Sequence, residues 1–226
     1  MRDVSSAKPI VIVGAGGFGR ETADVVAAIN AASREPQWCL VGLADDSPSE
    51  INLERLRSRK IPFLGTSSQL IANQERPAYV IGIGSPRVRK MLANRLDAAG
   101  FSAATLVHPD ASVGSQTLVG EGCVILAGAR ITTNVTLGRH VHINPNVTIG
   151  HDSVIDNFVS MNPASSVSGD CHIGEGALIG VQGVVLNQLS IGAWSVVGGS
   201  ACAVRDVSEG SIVVGVPAKE IGVNHS

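Results

Sequence analysis

Ile125-Leu-Ala-Gly-Ala-Arg-Ile131-Thr-Thr-Asn-Val-Thr-Leu137-Gly-Arg-His-Val-His-Ile143-Asn-Pro-Asn-Val-Thr-Ile149 returns an aliphatic residue at every sixth position. The register runs without insertion from Val107, through Val113 and Val119, and onward through Ile155, Met161, Val167, Ile173, Ile179, Val185 and Ile191 to Val197. The fourth residue after each aliphatic is nearly always small or β-branched, as at Ala129, Val135, Val147, Ser153, Ser165 and Ala177, and the very next residue is often Gly or Asn. A repeat of six is the period of a parallel β-helix. Each hexapeptide supplies one short strand and one turn, no coil can bury its apolar side alone, and stacked coils share a continuous core. Three hexapeptides close a triangular coil, so residues eighteen apart share a column, and the sixteen repeats predict about five coils.

Length and composition set the remaining bounds. A chain of 226 residues with a net charge of −2 predicts two domains and no nucleic-acid partner. We place the boundary between 1–106 and 107–226. No apolar run is long enough for a membrane span, and Met1–Lys8 lacks an apolar signal core, so the expectation is a cytoplasmic protein that does not engage a membrane. The four cysteines show no metal-like spacing; Cys123 and Cys171 fall on the small inward position of their hexapeptides, which predicts buried thiols.

The first hundred residues read as alternating strands and helices, a small Rossmann-like α/β domain. Pro9–Val13 is a short apolar strand, Gly14-Ala-Gly16-Gly17-Phe18-Gly19 follows directly, and a helix is predicted over Arg20–Ala32. Strand, glycine turn and helix together form a phosphate cradle: glycines let the backbone approach, and the helix N-terminus offers unpaired N–H groups. Trp38–Leu43 is a second strand ending near Asp45 and Asp46, whose carboxylates could accept hydrogen bonds from a ribose. Helices are predicted near Ser49–Ser58 and Ser67–Asn73. Tyr79–Ile83 is a third strand, and Gly84-Ser-Pro86 opens a basic helix, Arg87–Ala98. The segment is about half a full dinucleotide fold. That favours a mononucleotide or nucleotide-sugar site over NAD(P), with simple strand–helix packing as the other reading of the glycines.

In the repeat, His151 is the third residue of its hexapeptide, in a turn and in a column with Ser115, Thr133, Gly169 and Asn187; Asn144 stacks with Asn162. His140, His142, His151 and His172 could suggest zinc, but no two lie eighteen apart, so no stacked ligand pair exists within one chain, and we assign no metal.

These motifs resemble the bacterial sugar acetyltransferases that include nucleotide-4-amino-sugar N-acetyltransferases and sialic acid O-acetyltransferases. The resemblance rests on Val11-Ile-Val-Gly-Ala-Gly-Gly-Phe-Gly-Arg-Glu21, Val41-Gly-Leu-Ala-Asp-Asp46, Ile143-Asn-Pro-Asn-Val-Thr-Ile-Gly-His-Asp152 and Val213-Val-Gly-Val-Pro-Ala-Lys219. It implies a left-handed β-helix, a homotrimer, acetyl-CoA between adjacent subunits, and an N-terminal domain that holds the nucleotide-linked amino sugar through Gly14, Gly16, Gly17, Phe18, Gly19, Asp45 and Asp46. It further implies His151 as general base, Asp152 as its supporting carboxylate and Asn144 as a polar residue of the same pocket. Gly169 would contact the thioester carbonyl through its N–H, Val181 and Gly199 would line the pantetheine channel, and Pro217 and Lys219 would meet the nucleotide end of the coenzyme. The implied activity is acetyl-CoA-dependent N-acetylation of the amino sugar in bacterial glycan biosynthesis, with sugar O-acetylation as the alternative. An imidazole is substantially neutral near pH 7 and can take the proton of an attacking amine or hydroxyl, while a backbone N–H stabilises the oxyanion. Two positions depart from the family pattern: Ser160 and Phe18 stand where relatives carry histidine. His142, one coil from Ser160 in the same column, either supplies the missing imidazole or simply faces outward.

Overall fold

The computed structural model describes residues 7–224. They form two compact units, one ending at Pro109 and one beginning at Asp110.

In the first unit, β1 (Lys8–Val13), β2 (Trp38–Ala44) and β3 (Ala78–Ile81) make a parallel sheet in the order β2-β1-β3. Ile10, Val11, Ile12, Tyr79, Val80 and Ile81 are fully buried, as expected of parallel strands covered on both sides, which read as unbroken apolar runs. Three helices connect them, α1 (Gly17–Ala32), α2 (Glu50–Ser58) and α3 (Ser67–Ala72), and α4 (Pro86–Ala98) follows β3. Local chemistry fixes their starts. Thr66 and Gln69 form a reciprocal capping box on α3, and α4 opens with the Ser85 hydroxyl capping Val88 and with proline in its first turn. The helix predicted from Arg20 begins earlier, at Gly17, so Phe18 and Gly19 belong to its first turn rather than to a loop. From the central β1 the chain passes to β2 on one side and later to β3 on the other. The carboxyl ends of β1 and β3 therefore flank the crevice where open α/β sheets bind ligands.

The second unit is a left-handed parallel β-helix with three flat faces. Face 1 carries Val124–Ile125, His142–Ile143, Ser160–Met161, Leu178–Ile179 and Val196–Val197; face 2 runs from Ser112–Val113 to Cys202–Ala203; face 3 runs from Leu118–Val119 to Ser190–Ile191. From Ser112 to Ala203 the pairings follow the eighteen-residue rule, as in His142 with Ser160 and Ile149 with Val167. Ile125, Ile143, Ile149, Ile155, Met161, Ile173 and Ile179 are fully buried, and so are the small inward residues Ala129, Ser153, Ser165, Ala177 and Ser195. Cys123 and Cys171 are buried free thiols, and burial pushes the Cys171 thiol above its usual range. The corner residue of each hexapeptide has positive φ, for example Asn134, Asn146, Asp152 and Asp170 near 60°. That region suits Asn, Asp and Gly best.

The solenoid makes about six turns, one more than the repeat count predicts. Beyond Ala203 the spacing shortens: Ile191 bridges Val207 and Val197 pairs with Val213, sixteen residues on. A final strand, Lys219–Val223, folds back antiparallel on Ser211–Val214.

Candidate active site

His151 lies at the corner between faces 2 and 3, immediately after the strand Thr148–Ile149. The positive φ of Asp152, 59°, turns two consecutive side chains toward each other. His151 Nδ1 is 2.6 Å from Asp152 Oδ2. An ionised carboxylate only accepts, so in the neutral imidazole the proton sits on Nδ1 and the Nε2 lone pair is the basic one. On the other carboxylate oxygen, Asn134 Nδ2 donates to Asp152 Oδ1 at 2.6 Å. These two hydrogen bonds, that of Asn134 first, hold the Asp152 carboxyl below its ordinary value of 3.8.

Gly169, one coil above, is shaped to His151. A Cβ there would lie 2.7 Å from Nε2 and Cε1 of the imidazole, so only glycine lets the ring lean over this corner. The Gly169 N–H donates to no acceptor among the described residues, while its carbonyl accepts from Gln188.

The other expected residues of the repeat fall elsewhere. Asn144, Val181 and Gly199 lie on the corner between faces 1 and 2. Asn144 is 9% exposed, with Nδ2 donating to Met161 O; Val181 and Gly199 are exposed and stack directly, a Cβ on Gly199 approaching Val181 O to 3.4 Å. Within one chain the expected pocket is thus split over two corners. Lys219 lines a cavity of about 230 Å³ with Arg205, Asp206, Ser208 and Glu220. Pro217, in a cis peptide, is outside its lining. Arg205 continues the column of His151, Gly169 and Asn187, since Ala203 still pairs with Val185. His142 and Ser160 pair in register on face 1 and are 1% and 2% exposed, so His142 projects outward from its strand but is not solvated.

In the first unit the glycines divide by function. A Cβ on Gly14 would lie 2.6 Å from Gly82 O, and one on Gly19 would lie 1.9 Å from Gly14 O, whereas Gly16, Gly17 and Gly84 have nothing within 4 Å. The first pair lets the turn after β1, the start of α1 and the end of β3 approach one another closely. The open three lie at the carboxyl ends of β1 and β3. Gly16 is the N-cap of α1 and provides no side-chain cap, leaving first-turn N–H groups facing that space. Asp45 accepts from Ala15 N at 2.7 Å and from Ser47 N at 2.9 Å, so it first of all orders the glycine turn. Asp46 holds the start of α3 through Ser67 N and Oγ. Arg20 donates to Ala15 O and Asn52 Oδ1, which ties it to the turn instead of leaving it solvated. Two residues escaped the sequence reading. Arg89 is fully buried and donates to Ile83 O and Gly84 O, bracing the turn after β3. Asn134 could have been found by counting eighteen back from Asp152.

Comparison with known proteins bears on the whole chain. Residues 9–96 match the PglD N-terminal domain family. The GDP-perosamine N-acetyltransferase of Escherichia coli O157:H7 is 29% identical over 216 residues, covering 93% of this chain and 95% of the relative. Among solved structures, the acetyltransferase domain of PglB from Neisseria gonorrhoeae FA1090 superimposes with a TM-score of 0.82 at 28% identity, covering 95% of this chain and 100% of that one. PerB from Caulobacter crescentus, in complex with CoA and GDP-perosamine, gives 0.77 at 27% identity, covering 95% and 97%.

Proposed function

We propose that this chain is a nucleotide amino-sugar acetyltransferase, a reading supported by its likeness to the PglD N-terminal domain family and to the GDP-perosamine N-acetyltransferase, and that it moves an acetyl group from acetyl-CoA to the amino group of a nucleotide-linked amino sugar, with His151 as the base. The observation that carries the assignment of the base is the His151–Asp152 pair, with Nε2 directed away from the carboxylate and over Gly169. Bound acetyl-CoA supplies an activated acyl carbon. The chain's own groups do the rest: Nε2 accepts the proton that the attacking nitrogen loses as the C–N bond forms, Asp152 stabilises the imidazolium, which returns that proton to the departing thiolate as the C–S bond breaks, and the open Gly169 N–H is oriented for charge developing on an acyl oxygen. The open glycines of the first unit and the α1 N-terminus suit the phosphates of the acceptor.

The residues present fit a coenzyme site made by two subunits. Gly169 and the Arg205–Lys219 cavity belong with His151, while Val181, Gly199 and Asn144 occupy the preceding corner. Two corners of one triangular prism cannot close on the same ligand. A neighbouring copy can present its corner to His151, which supports a homotrimer with one site per interface, and which would also cover an imidazole that is 61% exposed in the single chain. His151→Ala tests the reading: kcat should fall by roughly 10²–10⁴ while calorimetric CoA binding persists. Retention of more than about a third of kcat would place the base elsewhere. Offering amino and hydroxyl acceptors in parallel decides between N- and O-transfer, since both use the same base.

A further inference from the structure

We infer that Asn134 is a positioning residue for proton transfer, acting through Asp152 to hold the His151 imidazole in the tautomer that leaves Nε2 basic. The inference rests on the proposed role of His151 and extends it one coil down the column. Asn134 and Asp152 are eighteen residues apart and share the same corner conformation, each with φ 59°. Their side chains therefore leave the solenoid in parallel, and Nδ2 of the lower one reaches Oδ1 of the upper at 2.6 Å. That leaves Oδ2 of Asp152 for His151 Nδ1. A carboxylate pinned at one oxygen cannot rotate about its terminal torsion, which is otherwise broad, so the second oxygen stays aimed at the ring.

The fold does not need this side chain. Gly122, Gly128 and Gly176 serve the same corner position in other hexapeptides, and the backbone of Asn134 is held independently by its N–H to Ser115 O. Among the described residues the Asn134 amide makes no other hydrogen bond than that to Asp152. An acid would be the wrong residue here: Asp170 already follows Asp152 one coil up, and a third carboxylate would repel the pair.

Asn134→Gly relieves the positive φ while removing the amide; Asn134→Asp keeps the shape but reverses the donor. Both are compared with wild type by ¹⁵N NMR of the imidazole, with His151→Ala assigning the signal. In the neutral ring the ratio of Nδ1–H to Nε2–H tautomer should fall roughly fivefold in either variant, a coupling ordinary for one hydrogen-bond network. Asn134→Gly should add less than about twofold in an Asp152→Asn background, because the path runs through Asp152. In turnover, kcat should fall with the tautomer ratio while both KM values stay within about twofold. An unchanged tautomer ratio in both variants, or an equal change with and without Asp152, overturns the inference. Because the NMR reading needs no turnover, it is separate from the fate of His151→Ala: an unchanged tautomer ratio disposes of the role of Asn134, and an active His151→Ala disposes of the base.

Discussion

A methyl group on Gly169 would lie 2.7 Å from the imidazole of His151, nearer than such atoms approach. His151 is exposed enough to swing away, so Gly169→Ala should cost little stability but should break the contact with Asp152. If His151 is the base, as proposed, displacing it should cost on the order of 10²-fold in rate, and single-turnover kinetics with circular dichroism would separate that loss from unfolding. Wild-type kcat in folded Gly169→Ala protein would mean the ring works from another position. At this scale the sequence was informative about His151 and Asp152, because adjacency in the chain becomes adjacency in space at a tight corner. It was less so for Asn144. Seven residues looks close in a list, yet one hexapeptide carries the chain to the next corner. Asn134 was hidden for the converse reason: it is remote in sequence and its role depends on the direction of a side chain.

The glycine turn shows that residues of one motif can have opposite duties. Gly16 has φ −69° and ψ −167°, a conformation open to any residue, and its Cβ position faces empty space. Gly16→Val should therefore fold, while raising the KM of the nucleotide-linked acceptor at least tenfold with little effect on that of acetyl-CoA. Gly19→Ala should instead destabilise, by about 1–3 kcal/mol or more, because the added carbon meets the Gly14 carbonyl. Thermal melts and paired KM measurements distinguish the two; an unchanged acceptor KM in folded Gly16→Val would reduce the turn to packing. The sequence pattern located this element but misplaced the helix start by three residues, since glycine carries no periodicity from which to read a boundary. Nor could it show that Asp45 and Asp46 each hold backbone N–H groups, because that depends on where the neighbouring turns lie.

For the whole molecule, the division of the expected site between two corners predicts assembly. Light scattering should report about three chain masses, and subunits carrying His151→Ala mixed with subunits altered at Val181 should recover part of the activity when one interface unites the two intact corners. A fully active monomer would contradict this. The repeat itself was legible because a solenoid writes its contacts locally, each coil repeating the last. The final turn was not, because its shortened spacing leaves the six-residue beat. The eighteen-residue column has one further consequence, for it acts as a ruler. Strand spacing sets each division at about 4.8 Å, so the number of coils between His151 and Arg205 fixes the length of any molecule that must touch both. Removing residues 174–191 would shorten that scale by one division while leaving the register intact, so a molecule that spans the two residues in the full chain would overshoot by that one division.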